Sequence, residues 1–376
     1  MKRKKPNARR TVDELIEAGR VHAERGELAD AEARFREALE QEPDHLGVLT
    51  LFALLLVDLG KIDEAIDLLE HAREFAPQFP PVQLALGSAY AAAGLDDLAV
   101  TAMETAIKLD TESTLPLERL ARHHIDARRP REAIGLLRRI LRRDPANAHA
   151  KFLLAGLAPA TDENKGPVAS PPPELIADLF DTYAPRFDQH LVEKLQYGVP
   201  KSLAALLAGV GLAADGSARV LDLGCGTGLV GVELRPYART MIGSDLSPRM
   251  IIRARQRGVY DELHVEDLLA TLARETDVDV IVAADVFIYV GVLEATFAAC
   301  AKALRPGGLL AFSIEKSAGE EVALLSTLRY AHAEKYIATL AETNGLAIER
   351  TEPTVLRVDA ERPIEGVLYV LRRPAA

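Results

Sequence analysis

A period of 34 residues runs through the first 160 residues of the chain. Small alanines recur at Ala31, Ala65, Ala99 and Ala133, and large apolar residues recur at Phe35, Leu69, Met103 and Leu137. Glycine recurs at Gly26, Gly60 and Gly94, with Arg128 in the fourth place. Proline recurs at Pro43, Pro77 and Pro145, with Thr111 in the third place. A small side chain lets two helices approach closely, the glycine ends the first helix, and the proline stops the second. The period therefore predicts stacked pairs of helices.

This period and pattern resemble the tetratricopeptide repeat. Counting from Val12, we predict repeats over residues 12–45, 46–79, 80–113 and 114–147. A further helix over Ala148 to Leu157 is predicted to cap the stack and cover its last apolar face. The resemblance implies a groove that binds peptides or partner proteins, and it leaves homodimerisation open as a second role. The alternative is that the groove docks on the second half of the chain and only shapes a substrate site.

A polar, proline-rich stretch divides the chain. Residues 161–173 show no helical or strand periodicity and end in three prolines, so they are predicted to be a linker. Residues 1–11 are predicted to be a basic, disordered tail, residues 12–160 to hold the repeats and their cap, and residues 174–376 to form a second domain. Two domains are expected in any case, since 376 residues exceed one ordinary core.

Composition excludes several classes of protein. No apolar run reaches the roughly 20 residues of a membrane span, and none follows Lys2–Lys5 as a secretory signal requires. The two cysteines, Cys225 and Cys300, do not make a disulfide framework, which favours the cytoplasm. The net charge of −11 argues against general nucleic-acid binding. The basic run at Arg138–Arg143 is then either a solvated helix face or a patch for RNA or an acidic partner.

The second half of the chain is organised around residues 220–228, Val-Leu-Asp-Leu-Gly-Cys-Gly-Thr-Gly. Its apolar start predicts a buried strand. The glycines let the backbone turn sharply and approach a ligand, because no Cβ intervenes. A helix opening at Leu229 completes the nucleotide-binding end of a doubly wound α/β sheet. The spacing of Gly224, Gly226 and Gly228 is not the Gly-x-Gly-x-x-Gly of dinucleotide sites.

Strands and helices alternate after Ser202, which predicts a parallel sheet. The predicted strands are 219–224, 240–245, 262–265, 278–284 and 308–314, followed by β-like runs at 346–358 and 366–372. With the glycine stretch and Leu304-Arg305-Pro306-Gly307-Gly308, this order resembles the class I S-adenosylmethionine-dependent methyltransferases. The resemblance covers roughly residues 174–376, and is closest to bacterial enzymes that carry tetratricopeptide repeats. It implies a Rossmann-like, seven-stranded domain ending in a hairpin, so the fold class is an α-helical solenoid followed by α/β.

The resemblance implies a site for S-adenosylmethionine. The glycines would let this cofactor lie against the backbone, with Cys225 among them as a small packing residue rather than a reactive thiol. Asp222 would hold the amino group of the methionine moiety, where a carboxylate suits an ammonium; the alternative is a turn acid. Asp245 would accept both ribose hydroxyls, with Leu246 beside the adenine.

An acid after the third strand would read the adenine amino group. Asp267 is our candidate, with Leu268 packed on the ring and Glu266 as the runner-up. The alternative is that Asp267 caps the next helix. Asp285 and Tyr289, after the fourth strand, would face the methyl-transfer centre.

Residues 174–191 are predicted to form a helix that breaks at Pro185. They resemble the N-terminal lid of small-molecule methyltransferases, such as the trans-aconitate and biotin-pathway methyl ester enzymes. The resemblance implies that Tyr183, Phe187 and His190 contact the cofactor or line the acceptor pocket. The alternative is that both rings pack the helix onto the sheet and that the histidine is exposed.

Methyl transfer is an in-line displacement at a sulfonium. It places few demands on the protein, because the leaving group is a neutral thioether and alignment in a dry site suffices. Candidate bases are His190, Glu315 and His332, and each can instead be structural. Arg329 is a candidate for binding an anionic substrate, with a surface charge as the alternative. No metal site is predicted.

We therefore expect a methyltransferase that acts on a small molecule at oxygen, with the repeats as an interaction or dimerisation module. The sequence after strand four lacks Asn/Asp-Pro-Pro-Tyr/Phe, which counts against an adenine or glutamine nitrogen acceptor. One alternative is a peptide or protein methyltransferase whose substrate the repeats present. Another is a non-enzymatic scaffold with a cofactor-sensing module.

Overall fold

The computed structural model describes residues 10–158, 170–184, 187–188, 197–319, 321–359 and 362–375. The chain divides into two compact units, Met1–Ala150 and Lys151–Ala376. Most of the predicted linker, the predicted helix break at Pro185 and the candidate base His190 lie outside the described residues. Among the helices that the structure describes, none has the length and apolar content needed to cross a bilayer.

The N-terminal unit is built from helices that alternate in length and pair in sequence order. They are α1 (Val12–Glu24), α2 (Leu28–Gln41), α3 (Leu46–Asp58), α4 (Ile62–Phe75), α5 (Pro80–Ala92), α6 (Asp96–Leu109), α7 (Leu115–Asp126), α8 (Pro130–Arg143) and α9 (Ala148–Leu157). The predicted helical pairs are confirmed. Helix α9 begins in this unit, and its residues from Lys151 onward belong to the second unit.

Within each pair, the first helix ends on a left-handed residue. Gly26, Gly60 and Gly94 have φ of 74°, 75° and 75°, and the residue after each donates its N–H to a carbonyl in the last turn of the helix. This arrangement satisfies carbonyls that the helix itself leaves unpaired. Arg128 adopts the same conformation with φ of 57°. The repeat geometry thus imposes on an arginine a backbone conformation that costs about 1 kcal/mol or more outside glycine.

The two helices of a pair touch where one carries glycine or alanine and the other a large apolar residue. A Cβ added at Gly19 would lie 2.8 Å from Phe35 Cε1, and one added at Gly87 would lie 2.5 Å from Met103 Cγ. At the corresponding positions of the second and fourth repeats, alanine faces the smaller leucine in the period (Ala53 with Leu69, Ala121 with Leu137). The core therefore balances the volume of one helix against that of the other.

We predict that Gly87→Ala lowers the free energy of unfolding by about 1–3 kcal/mol, because the methyl group overlaps Met103 in a packed core. Gly135→Ala is the matched control, since α8 has nothing within 4 Å of a Cβ at that position. This control should gain up to about 1 kcal/mol from helix propensity. Urea unfolding of the full chain measures both. A Gly87→Ala variant as stable as the wild type would show that the helices do not pack this closely.

The second unit alternates helices and strands around one sheet. Its elements are α10 (Pro173–Tyr183), α11 (Val199–Gly209), β1 (Ala218–Leu223), α12 (Leu229–Leu234), β2 (Ala238–Asp245), α13 (Pro248–Arg257), β3 (Glu262–Val265), α14 (Leu268–Arg274), β4 (Val278–Ala283), α15 (Glu294–Ala303), β5 (Leu304–Lys316), β6 (Val322–Leu324), β7 (Tyr330–His332), α16 (Glu334–Thr343), β8 (Ala347–Asp359) and β9 (Arg362–Arg372).

Five parallel strands form the centre of the sheet in the order β3-β2-β1-β4-β5. The hairpin of β8 and β9 follows, with β9 antiparallel to β5, as the predicted architecture requires. Apolar clusters cover both faces of the sheet. The strand order changes direction between β1 and β4, so a ligand is expected at the carboxyl end of β1.

Two features of the sheet differ from the prediction. The described residues hold nine strands rather than seven, because β7 pairs with the end of β5 and β6 pairs with β7. Strand β5 also begins at Leu304, earlier than predicted, since Leu304 pairs with Val278 and the N–H of Arg373 donates to the carbonyl of Gly308. Of these strands, β7 begins immediately after the candidate arginine, Arg329.

Candidate active site

The loop after β1 is a run of left-handed glycines. Gly224, Gly226 and Gly228 have φ of 60°, 53° and 92°. A Cβ at Gly224 would lie 2.7 Å from Val286 Cγ2, whereas at Gly226 the nearest atom is a carbon of the Phe187 ring at 3.8 Å. The loop therefore packs closely on one side and leaves an open backbone face under Phe187. Such a face is the surface against which a nucleotide can lie.

Cys225 lies within this loop but has little access to solvent. Its N–H donates to the carbonyl of Ser244 at 2.9 Å, and its side chain packs with Ile251 and Ala254. Burial raises the pKa of its thiol well above the ordinary value. This placement supports the expected packing role.

Asp222, in β1, is a buried carboxyl with one oxygen engaged. The Tyr260 hydroxyl donates to Oδ2 at 2.6 Å, while Oδ1 is buried and has no hydrogen-bond partner in the part of the chain that the structure describes. Burial raises the pKa of Asp222 to about 7, against the hydrogen bond from Tyr260, which lowers it. An unpaired buried oxygen is costly. The site therefore fits a ligand that brings a donor, and a charged one such as an ammonium most of all.

Asp245 ends β2 and joins it to the glycine loop. Its Oδ2 accepts from the Gly226 N–H at 2.9 Å, and its Oδ1 accepts from the Ser247 N–H at 2.8 Å. Burial raises the pKa of Asp245 to about 6. Each carboxylate oxygen can accept more than one hydrogen bond, so these contacts are compatible with the predicted ribose contacts. Leu246 follows and is partly buried.

The two acids after β3 have different partners. Glu266 Oε1 accepts from Arg274 Nη1 at 2.6 Å, whereas Asp267 Oδ1 accepts from the Leu269 N–H at 2.8 Å and caps α14. The helix cap is the alternative that the sequence left open for Asp267, and an adenine contact would have to coexist with it. Leu268 packs against the apolar cluster on one face of the sheet.

The described part of the candidate lid is fastened to the glycine loop and to the start of α13 by two carboxylates. Asp181 accepts from Ser247 Oγ at 2.5 Å, and Asp188 accepts from Thr227 Oγ1 at 2.5 Å and from Arg257 Nη2 at 2.5 Å. We did not predict either acid. The repeated Phe-Asp dipeptide at 180–181 and 187–188 is the signal that could have identified them.

Aromatic rings continue from this segment toward β4. Tyr183 and Phe187 make an edge contact at 5.3 Å between centroids, and Phe180 contacts both Phe187 at 6.2 Å and Tyr289 at 5.1 Å. Arg329 Nε lies 3.4 Å from Tyr289 Oη. The structure thus brings together four predicted site residues: Tyr183, Phe187, Tyr289 and Arg329. Arg329 Nη1 also lies 3.5 Å from Asp359 Oδ2.

A buried arginine that we did not predict holds the acids next to this cluster. Arg357 Nη1 donates to Asp285 Oδ2 at 2.8 Å, and Nη2 donates to Glu315 Oε1. Asp285 has φ of 55°, and its Oδ1 accepts from Ser313 Oγ at 2.8 Å. The Arg357 side chain is only 3% exposed. Both carboxylates are therefore engaged as the counter-charges of Arg357, which disfavours Glu315 as a free base.

His332 is a core residue in β7. Its Nε2 lies 2.9 Å from the Gly291 carbonyl, its ring stacks on Tyr336, and the residue has no exposed surface. Burial lowers the pKa of this imidazole. This placement corresponds to the structural alternative, since a base must reach the proton that it removes.

Comparisons with known proteins match both parts of the chain. A family model of a methyltransferase domain matches residues 220–308, which run from the glycine loop to the start of β5. Two models of the tetratricopeptide repeat match residues 22–89 and 118–160. The chain carries tetratricopeptide repeats and a methyltransferase domain. The family resemblances described for the sequence are thereby confirmed.

Similar proteins match a part of this chain. Methyltransferase-like protein 27 of Homo sapiens is 38% identical over 106 residues, 27% of this chain and 41% of that protein. The ubiquinone biosynthesis O-methyltransferase of Cereibacter sphaeroides is 31% identical over 131 residues, 33% of this chain and 49% of that enzyme. The chain thus spans about half the length of these relatives or less.

A solved structure is also similar to about half of this chain. Magnesium protoporphyrin IX methyltransferase from Synechocystis PCC 6803, with bound SAH, shows 19% sequence identity to this chain. The likeness covers 53% of this chain and 99% of that one, with a TM-score of 0.41.

The raised pKa of Asp222 predicts a specific effect on stability. In the folded chain the pKa of Asp222 is about 7, whereas the pKa of an aspartate in an unfolded chain is about 4. Unfolding therefore releases a proton between these values, and stability falls as the pH rises through that window. Asp222→Asn removes this proton release and keeps an acceptor for Tyr260. We expect its thermal unfolding midpoint, without ligand, to exceed that of the wild type at pH 8.

At pH 5 that difference should become small. The exposed loop acid Asp215, replaced in Asp215→Asn, provides the control and should not stabilise the protein more at pH 8 than at pH 5. A stability difference for Asp222→Asn that stays constant from pH 5 to pH 8 would show that Asp222 is not a buried, protonatable group.

Proposed function

We propose that this protein is an S-adenosylmethionine-dependent methyltransferase that acts on a small molecule at oxygen. The observation that carries the proposal is the buried Oδ1 of Asp222, with which no described residue pairs, beside a loop of left-handed glycines. A hydride-transfer cofactor of the nicotinamide type fits less well, because the glycine spacing is not that of dinucleotide sites. The similarity to an O-methyltransferase of ubiquinone biosynthesis supports oxygen as the acceptor atom.

The residues described above fit this cofactor. Asp222 Oδ1 would receive the ammonium of the methionine moiety, Asp245 the ribose, and the open face at Gly226 the atoms between them. Asp267 and Leu268 would border the adenine, with the helix cap retained. When bound, S-adenosylmethionine supplies a methyl group on a sulfonium, which is an activated electrophile. The chain itself would align the acceptor and exclude water, and the Phe187 ring over the loop, with the Tyr183 ring against it, would serve this purpose.

The acceptor side of the site favours an anion. Arg329 is mostly buried beside the Tyr289 hydroxyl. Its contacts with Tyr289 and Asp359, at 3.4 Å and 3.5 Å, are at the outer limit for hydrogen bonds. A planar guanidinium with donors to spare binds a carboxylate or phenolate well. Among the described acids near this centre, Asp285 and Glu315 are paired with Arg357. An acceptor that is already ionised needs no base, so we infer a carboxylate.

We propose that the repeats are an interaction module. Helix α8 exposes Arg131, Arg138 and Arg142, and none of them has an acidic partner among the described residues. Two basic residues of earlier repeats behave differently, since Arg36 and Lys61 both pair with Glu32. An unpaired basic stripe on a chain of net charge −11 favours an acidic protein partner or a second copy of the chain.

Calorimetry tests the cofactor assignment. We expect the full chain to bind S-adenosylmethionine and S-adenosylhomocysteine, and Asp245→Ala to weaken both by about tenfold or more, because a charge-assisted hydrogen bond is worth roughly 1.5–3 kcal/mol. Asp215→Ala, at an exposed loop acid, should bind like the wild type. A wild-type protein that binds neither ligand would contradict the proposed function.

A panel of carboxylic acids, phenols, amines and peptides tests the acceptor. With S-adenosylmethionine labelled in the methyl group, we expect methyl esters as products. Arg329→Met should raise KM for the carboxylate about 10–100-fold with a smaller effect on kcat, because it removes a charge-assisted contact. Lys316→Met, at an exposed lysine paired with Glu334, is the control. Methylation of amines or peptides alone would contradict the assignment of oxygen in a small molecule.

A further inference from the structure

Tyr260, between α13 and β3, occupies a slot that three glycines keep open. A Cβ at Gly231 would lie 2.5 Å from the ring carbon Cζ, one at Gly243 would lie 2.9 Å from Cε1, and one at Gly228 would lie 2.9 Å from Cε2. These glycines belong to α12, to β2 and to the loop after β1. Any side chain at the three positions would displace the ring, so the ring is fixed from three elements at once.

The slot directs the Tyr260 hydroxyl to one oxygen of Asp222. The hydroxyl donates to Oδ2 at 2.6 Å, and the Asp222 side chain is 1% exposed. The other oxygen, Oδ1, is buried and has no partner among the described residues. The hydrogen bond thus determines which oxygen remains for a ligand. A carboxyl without this anchor could rotate about its last bond and present either oxygen.

The surroundings of Asp222 contain no positive charge among the described residues. The titratable groups that face it are Tyr260, Asp245, Cys225 and Tyr197. The pKa of Asp222 is raised to about 7 by burial and by the Asp245 charge, against the hydrogen bond from Tyr260, which lowers it. The hydroxyl is therefore the contact that favours the ionised form of Asp222 before a cation arrives.

We propose that Tyr260 is a positioning residue for cofactor binding, which favours the ionised form of Asp222 and holds its carboxylate turned so that Oδ1 receives the ammonium of S-adenosylmethionine. This inference rests on the proposed function. In this role Tyr260 acts on the cofactor through Asp222, not by direct contact. The glycines Gly231 and Gly243, which lie outside the loop itself, then serve the site by making room for the tyrosine.

Tyr260→Phe separates the hydroxyl from the ring, because phenylalanine fills the same slot. Calorimetry with S-adenosylhomocysteine, from pH 6 to pH 9, should show weaker binding of about 5–10-fold at pH 7, since one unit of pKa shift corresponds to a tenfold change in the ionised ratio. The acid limb of the affinity profile should move to higher pH, because Asp222 without its donor ionises later. Tyr237→Phe, at a partly buried tyrosine elsewhere in the unit, should follow the wild-type profile.

Two further measurements distinguish positioning from a structural role. In an Asp222→Asn background, Tyr260→Phe should cause little further loss of affinity, because the amide has no ionised form for the hydroxyl to favour and no ion pair with the ammonium to position. The affinity for 5′-methylthioadenosine, which lacks the ammonium, should be the same in Tyr260→Phe and in the wild type. An unmoved acid limb, or equal losses for both ligands, would overturn the inference while leaving the proposed function in place. A wild-type protein that binds neither ligand would overturn both.

Discussion

The turn after β1 is the constraint on which the rest of the site depends. Three alternating residues take left-handed backbone conformations there, and only glycine does so without strain. The turn also lies where the strand order reverses, so side chains from β1, β2 and β4 converge beside it. Asp245 supports it from β2, and the described lid segment supports it through Asp188 and Thr227. The loop is thus held both by a residue that precedes it in the sequence, Asp188, and by one that follows it, Asp245.

The carboxyl ends of the strands hold two pairs of acids in opposite electrostatic surroundings. Asp222 is buried and Asp245 is partly buried, neither has a cationic partner among the described residues, and burial raises the pKa of each. Asp285 and Glu315, by contrast, share the buried Arg357, and Arg329 lies nearby. The first pair therefore lacks a positive charge that a cationic ligand would supply, whereas the second pair is already neutralised. Under the proposed function, this difference would orient a cationic cofactor toward β1 and β2 and an anionic acceptor toward β4 and β5.

Local patterns were sufficient to predict the architecture. The 34-residue period predicts the helical pairs because each repeat reuses the same turn and the same close contact. The glycine run and the apolar strands likewise predict the sheet, since these signals depend on a few neighbouring residues. The strands β6 and β7 could not be predicted, because each has only three residues and forms through pairing with distant partners.

Side chains whose role depends on tertiary contacts could not be predicted. Arg357 lies in an ordinary β-like run, and nothing near it in sequence indicates that it pairs with Asp285, 72 positions earlier. Tyr260 follows a helix as any packing tyrosine might, and its partner lies 38 positions away. His332 is the opposite case. The sequence offers it as a candidate base, but the fold buries it completely in β7. The candidate lid residues remain predictions where the chain is not described.

A crystal structure of the full chain with S-adenosylhomocysteine would test the central claim most directly, through the distance from the ligand's amino nitrogen to Asp222. We predict that the amino nitrogen of the ligand lies within about 3 Å of Asp222 Oδ1. The Tyr260 hydroxyl should still donate to Oδ2, and the ribose should lie at Asp245. A ligand bound away from the glycine loop, or with its amino group turned from Asp222, would contradict it.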